Sequence, residues 1–155
     1  MNHESTLVRT EAGRADAALL VLRLVVALIF IMHGGQKLFV FGLDGVTSSF
    51  AEMGAPLPRV TAPLVSFLEL FGGMGVALGL LTRLVAFCLA VEMLIALFLV
   101  HLPNGFFVPR GVELVLLLAA AATALVLTGA GAWSLDAVLR RRSRSGRLAA
   151  PETLT

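Results

Sequence analysis

The chain has 155 residues, of which 58% are hydrophobic and 14% are charged. Soluble globular proteins are about half apolar and about a quarter charged, so this chain has too few polar side chains to cover a water-exposed surface. The formal net charge is only +2, which by itself gives no reason to expect a nucleic-acid partner. The composition favours a membrane protein over a soluble enzyme domain.

Residues 1–16 are predicted to form a polar cytoplasmic segment. A cleaved signal peptide is the alternative interpretation, because a charged segment precedes an apolar run. Acidic residues at Glu4, Glu11 and Asp16 and the lack of a small-x-small cleavage site disfavour it.

Four apolar stretches follow, at residues 17–32, 63–81, 84–100 and 112–127. Each is close to the ~20 residues that cross about 30 Å of hydrocarbon as a helix. Their short connections leave little chain for anything else. We therefore predict an all-α fold, an integral membrane four-helix bundle, spanning residues 17–132.

The last segment, residues 133–155, is predicted to be an interfacial helix and a basic cytoplasmic tail. Trp133 is a typical interfacial anchor, and Ser134 is a typical cap for an amphipathic helix. The tail arginines are Arg140, Arg141, Arg142, Arg144 and Arg147. Basic residues collect on the cytoplasmic side, so four crossings place both termini there. Beside a membrane helix, anionic lipid explains these arginines better than nucleic acid does.

The first outer connection, residues 39–62, is longer than a turn requires. Val46, Phe50 and Met53 recur in it at helical spacing, which predicts a short amphipathic segment. It would serve either as a lid over the bundle or as an interfacial packing segment, and the sequence favours packing.

Ionisable residues inside membrane helices are costly and usually paired or functional. They are Arg23, His33, Lys37, Glu69, Glu92 and Glu113. The helical rise per residue, counted from the ends of the apolar stretches, places Arg23 and Glu92 at the same depth in the membrane. This predicts a structural ion pair between them. The same count predicts an outer, outward-facing polar site made by the other four residues. The alternative is that these charges only specify which helices meet.

Small residues on the second apolar stretch predict close helix packing. They are Gly72, Gly73, Gly75 and Gly79. The single cysteine, Cys88, excludes an internal disulfide or a Cys-x-x-Cys pair and is predicted to be a packing residue. A metal held by His33, Glu69 and Glu113 is conceivable, but no segment has closely spaced ligands, so no metal is predicted.

Several motifs in order resemble the DoxX family of small bacterial membrane proteins. They are "LRLVVALIFIMHGGQKL", "FLELFGGMGVALGLLTRL", "PNGFF", "GVELVLLLAA" and "GAGAWSLDAVL". The motif positions are Arg23, His33, Gly34, Lys37, Glu69, Gly72, Gly73, Gly79, Arg83, Asn104, Gly105 and Glu113, with Glu92 as a less certain match. The resemblance implies a multi-pass protein of the bacterial plasma (inner) membrane, associated with redox metabolism and oxidative-stress defence. Related DoxD-type proteins are linked to quinone-coupled thiosulfate oxidation, which involves another subunit.

The leading hypothesis is a membrane subunit of a redox or oxidative-stress system. His33, Lys37 and Glu69 would bind the headgroup of a quinone or another small acceptor, and with Glu113 they are the candidate catalytic residues. No haem, flavin or iron–sulfur ligand pattern is recognisable, so electrons would come from a partner or from the substrate. The alternatives are a membrane anchor or assembly factor for soluble partners, and a small-solute or proton carrier. The carrier would need a homo-oligomer to give it room.

Overall fold

The computed structural model describes residues 3–148, with side chains described for residues 10–143, and contains no strand in that part of the chain. The main helices are α1 (His3–Gly35), α2 (Gly42–Glu52), α3 (Pro58–Phe67), α4 (Gly73–Leu78), α5 (Thr82–Ala96), α6 (Glu113–Thr128) and α7 (Leu135–Leu148). Wider π-helical segments follow α1, α3 and α5, at Gln36–Phe41, Leu68–Gly72 and Leu97–His101, and a 3₁₀ turn at Leu102–Asn104 ends the third long helix.

Three of the resulting helical runs are long and apolar enough to cross a membrane. They are Thr10–Glu52, Pro58–Leu78 and Thr82–Asn104, and the shorter apolar helix α6 is the fourth. Large apolar side chains such as Leu28, Phe39 and Phe98 point outward, as a hydrocarbon solvent allows. The predicted helical membrane bundle is confirmed.

Two helix boundaries differ from the prediction in a way that affects the site. The first helix begins at His3 instead of residue 17, because its polar residues continue the helix without a proline to stop it. The second begins at Pro58 instead of residue 63, since proline fits the first helical turn, where its missing N–H is not needed. Both helices therefore extend beyond their apolar stretches.

The bundle core lies where α1 packs along α4 and the π segment before it, and where α5 packs along α6. Val26, Phe30, Val76, Leu89 and Leu125 are fully buried there. The predicted amphipathic segment corresponds to α2, which turns away from α1 at Gly42 (φ +69°). It packs against α3 with Val46 buried.

Side-chain caps join α7 to the inner end of the bundle. Ser134 Oγ accepts the Ala137 N–H at 3.2 Å, as the predicted cap requires. The carboxylate of Asp136 accepts the N–H groups of Leu81 at 2.9 Å and Thr82 at 3.0 Å. Asp136 thus satisfies two amides that the start of α5 leaves without intrahelical partners.

These contacts make stability depend on the ionisation of Asp136. Burial raises the pKa of its carboxyl, but the hydrogen bonds from Thr82 and Leu81 and the charge of Arg140 outweigh burial, so the pKa lies below its ordinary value. A carboxyl with a lowered pKa in the folded state stabilises the protein above its unfolded pKa. That stabilisation is lost as the pH falls through the folded pKa.

We expect Asp136→Asn to lower the free energy of unfolding by about 1 kcal/mol at pH 7, the net worth of one hydrogen bond, because the amide keeps only one of the two oxygens that accept the Leu81 and Thr82 N–H groups. Wild type should lose unfolding free energy as the pH falls below about 4, the unperturbed range for aspartate. The variant should show a smaller loss over the same range. Denaturant unfolding in micelles at several pH values measures both effects. Asp44→Asn, at an exposed site on α2, removes the same charge and should lose as much unfolding free energy at low pH as wild type does. If the unfolding free energy of Asp136→Asn fell with pH in parallel with that of wild type, the lowered pKa of Asp136 would be contradicted.

Candidate functional site

An ion pair joins the first two membrane helices inside the bundle. Lys37 Nζ donates to Glu69 Oε2, and the two side chains are 21% and 4% exposed respectively. Each residue lies in a π-helical segment, Lys37 in Gln36–Phe41 and Glu69 in Leu68–Gly72. Such segments occur frequently at functional sites in other proteins.

Close backbone approach makes this pairing possible. A Cβ built on Gly34 would overlap the backbone nitrogen of Leu70 and lie 2.9 Å from its Cα, so only glycine allows the two helices to come this near. Side chains on a helix lean toward its N-terminus. Lys37 therefore reaches inward from its own level to Glu69.

Glu92 of α5 completes a three-residue group, the Lys37–Glu69–Glu92 cluster. Its carboxyl interacts with the Glu69 carboxyl and with the Lys37 charge. The Glu92 side chain is buried, and its Oε2 has no hydrogen-bond partner among the described residues. The cluster thus holds one cation, two carboxyl groups and an unsatisfied oxygen, and each residue comes from a different membrane helix.

The cluster lies near the middle of the second and third helical runs. Glu69 is nine residues from the inner end of its helical run at Leu78 and eleven from the outer end at Pro58, which is about 14 Å and about 16 Å at the helical rise. Glu92 is ten residues, about 15 Å, from Thr82. The apolar stretch of helix two begins five residues after Pro58, so Glu69 is closer to the outer end of that stretch than to its inner end, and the outer, outward-facing position stays a prediction.

Two of the four predicted cluster residues lie elsewhere. His33 is exposed on the side of α1, since it lies about 40° farther than Lys37 from the buried face of that helix. Glu113 Oε2 accepts the Val108 N–H at 2.7 Å and so stabilises the second outer loop. In the same loop, His101 Nδ1 contacts the Arg110 carbonyl at 2.9 Å.

The predicted Arg23–Glu92 ion pair is not formed, although both residues lie in the described part of the chain. The Arg23 guanidinium, 2% exposed, donates from Nη1 to Ala130 O at 2.6 Å and from Nη2 to Trp133 O at 2.8 Å. The Arg23 guanidinium lies at the inner end of the bundle, beside Gly79 and the linker after α6. Glu92 is ten residues, about 15 Å, from the inner end of α5 at Thr82.

The four predicted packing glycines serve different contacts. A Cβ on Gly73 would lie 2.9 Å from the Ile31 side chain, and one on Gly72 would lie 3.1 Å from a valine of α5. Gly79 (φ +68°) ends α4, and its Cβ would collide with the buried guanidinium of α1. Gly75 has more room, with a carbonyl oxygen at 3.5 Å.

Sequence reasoning missed the polar contacts at the inner end of the bundle. Asp16 Oδ1 accepts the Ala132 N–H at 2.7 Å, and Asp136 caps α5 as described above. Both aspartates stand at the polar edge of an apolar stretch, where a carboxylate often caps a chain turn. Within residues 3–148, no three His, Cys, Asp or Glu side chains are arranged to hold a metal ion.

The family model for DoxX matches residues 18–102, the range that contains Arg23 and the whole Lys37–Glu69–Glu92 cluster. The chain belongs to the DoxX family. This DoxX protein is 39% identical to an uncharacterised protein of Haemophilus influenzae over 119 residues, which cover 74% of the chain and 85% of that relative.

Two further relatives carry descriptive names. "Putative oxidoreductase CatD" of Bacillus subtilis is 31% identical over 131 residues, covering 84% of the DoxX chain and 93% of the relative. "Inner membrane protein YqjF" of Escherichia coli is 32% identical over 132 residues, covering 82% and 95%. No solved structure matches the chain.

Proposed function

We propose that this DoxX protein is a bacterial inner-membrane subunit of a redox or oxidative-stress system, and that the Lys37–Glu69–Glu92 cluster binds the headgroup of a quinone and exchanges protons with it. The observation that carries the proposal is a buried ion pair with a second carboxyl group against it, all three groups on membrane helices. Ionisable groups inside membrane helices usually mark a substrate or proton pathway.

The charges of the cluster suit proton exchange. One lysine and two carboxyl groups are neutral in sum when a single proton is shared by Glu69 and Glu92, and two adjacent carboxylates in a low-dielectric site disfavour full ionisation. Reduction of a quinone to a quinol consumes two electrons and two protons. In the proposal, the cluster passes the two protons to the quinone one at a time and takes up a proton from water after each transfer, and a reductant bound by a partner protein supplies both electrons.

A quinone would reach the cluster sideways from the lipid. Lys37 is partly exposed, and His33 and Gln36 are exposed on the same part of the first helix. His33 lies about a turn before Lys37 and Gln36 directly precedes it, so both side chains could hydrogen-bond an entering carbonyl oxygen. Glu92 Oε2, which has no hydrogen-bond partner in the part of the chain that the structure describes, offers a further polar contact to the headgroup.

The names of the relatives agree with this function. CatD carries an oxidoreductase name, and YqjF carries an inner-membrane name. The anchor alternative has no comparable support in the geometry, because an anchor does not require two carboxyl groups and a lysine to meet in one place. A proton carrier would use the same cluster, and proton flux into liposomes distinguishes it from a quinone site.

Glu69→Gln tests the proposal. A hydrogen bond to a charged group is worth about 1.5–3 kcal/mol, so we expect the affinity of the purified protein for a short-chain quinone to fall at least about tenfold. Binding is measured by titration in nanodiscs. Glu113→Gln removes the same charge at the outer loop and should bind within about twofold of wild type.

Two results would overturn the quinone function. One is wild-type binding by a folded Glu69→Gln protein, and the other is an absence of quinone binding by wild type itself. If the protein were an anchor, Glu69→Gln would lower partner recovery in proportion to protein abundance, and neither wild type nor the variant would bind the quinone.

A further inference from the structure

An apolar groove runs along the third helical run, from the middle of that run toward its outer end. Its volume is about 510 Å³, and ligand sites in proteins are about 300–1,000 Å³. The lining residues are Pro56, Val91, Leu94, Ile95, Phe98 and Leu99. Five of them belong to the third run, and Pro56 lies in the turn between α2 and α3. The groove is therefore a feature of the seam between the second and third runs.

The groove arises because these two runs separate toward their outer ends. At the level of Glu69 and Glu92 and farther inward, α5 packs against the Leu68–Gly72 segment and α4. Farther outward, α3 packs against α1 and α2 instead. The outward part of the third run is left facing lipid, with Ile95 57% and Phe98 65% exposed.

The inner end of the groove adjoins Glu92 of the Lys37–Glu69–Glu92 cluster. Val91 directly precedes Glu92, and Ile95 and Leu99 follow it by three and seven residues, so both lie on nearly the same face of the helix as Glu92. Glu92 is 9% exposed, and its Oε2 has no hydrogen-bond partner among the described residues. Because buried polar atoms nearly always have a partner, this oxygen indicates an unfilled polar contact. An unfilled polar contact beside about two turns of apolar groove fits a ligand with a polar head and an apolar tail.

The position of the polar end decides which head fits. Glu92 is ten residues, about 15 Å, from the inner end of the third run at Thr82 and twelve residues, about 18 Å, from the outer end at Asn104. A phospholipid keeps its charged headgroup at the membrane surface, since a charge inside the hydrocarbon is costly. It could place an acyl chain in the groove but could not bring its headgroup to Glu92. A quinone ring carries no charge and can enter to that depth.

We propose that the groove holds the isoprenoid tail of a membrane quinone whose headgroup lies against Glu92. This inference rests on the proposed function, and it adds that the protein selects tailed quinones over tailless ones with the same ring. The exposed His33 and Gln36 beside Lys37 make the α1 side of the cluster polar. The α5 side, where the groove lies, accommodates an apolar tail better.

Two quinones that share a ring, one with an isoprenoid tail and one without, test the groove. Each is titrated against the full-length protein in nanodiscs, and affinity is expressed per mole fraction of quinone in the bilayer, so that different partitioning into lipid cancels. Wild type should bind the tailed quinone at least tenfold more tightly. Equal affinities would overturn the tail site and leave the quinone function standing, because the acyl chains of the nanodisc would then fill the groove as well as the tail does.

Leu99→Trp and Leu84→Trp are a matched pair for the same titration. Both leucines are exposed on the third run, at 38% and 61%, but only Leu99 lines the groove. Leu99 is about two turns from Glu92, so Leu99→Trp should lose most of the preference for the tail and still bind the tailless quinone. Leu84→Trp should keep the wild-type preference. A folded Leu99→Trp protein with the wild-type preference would also overturn the tail site. If wild type bound neither quinone, the quinone function would fail and the tail site with it.

Discussion

Replacing Gly34 with alanine is expected to destabilise the protein by about 3 kcal/mol, the upper range for inserting a methyl group into a well-packed site. The new Cβ would overlap Leu70 N and lie 2.9 Å from Leu70 Cα and 3.0 Å from the Glu69 carbonyl carbon. All three are backbone atoms, which cannot rotate away as a flexible side chain can. The two helices must therefore separate, and Lys37 must then reach farther to Glu69.

Gly35→Ala is the matched control for this change. Its Cβ would meet only a ring carbon of Phe39, at 4.0 Å, and alanine is favoured over glycine in a helix by about 1 kcal/mol. Gly35→Ala should therefore be neutral or stabilising. Unfolding in mixed micelles compares the two variants, and quinone titration shows whether Gly34→Ala also weakens the Lys37–Glu69–Glu92 cluster. Equal unfolding midpoints would show that the helices are not in close backbone contact at Gly34.

The fold was predictable because a membrane helix needs little beyond about 20 apolar residues. The helix ends were less predictable. The polar residues after His3 continue α1 because nothing in them breaks a helix, and Pro58 begins α3 because its ring suits a first turn. Apolar content reports where the hydrocarbon lies, whereas the backbone stays helical beyond that boundary.

The candidate site was predicted in part. Helical phase placed Lys37 on the inner face of its helix, and depth placed it near Glu69. On the same helix, His33 lies about 40° farther than Lys37 from the buried face. That difference is enough to move a side chain from the edge of the core into lipid. Glu113 was misplaced because an amide of its own loop lies within reach, a local contact that depth and phase do not reveal.

The contacts at the inner end were harder to foresee for a different reason. The partners of Arg23 are the carbonyls of Ala130 and Trp133, and every residue has a carbonyl. Pairing by charge gave Glu92 as the partner, since that was the opposite charge at the calculated depth. A segment that binds a charged side chain through its backbone carbonyls needs no particular residue types, so its sequence does not indicate the contact.

The buried position of Arg23 leads to the second large expected effect, for Arg23→Met. The variant removes the donors for two carbonyl groups. An unsatisfied buried acceptor costs about 1–3 kcal/mol, so we expect a loss of about 4 kcal/mol in the free energy of unfolding. Methionine keeps much of the apolar stem, so the loss reports mainly on the guanidinium.

Arg83→Met is the control for Arg23→Met, because Arg83 is also bonded to a carbonyl, that of Leu127 at 3.3 Å, but is exposed. Water can replace that bond, so the change should cost under about 1 kcal/mol. Arg23→Lys separates charge from geometry: a single ammonium keeps the charge without the guanidinium fork that reaches both carbonyls, and it should recover only part of the loss. Denaturant unfolding of the three variants gives the comparison. If Arg23→Met were no less stable than Arg83→Met, Arg23 would not be what holds the linker after α6 to α1.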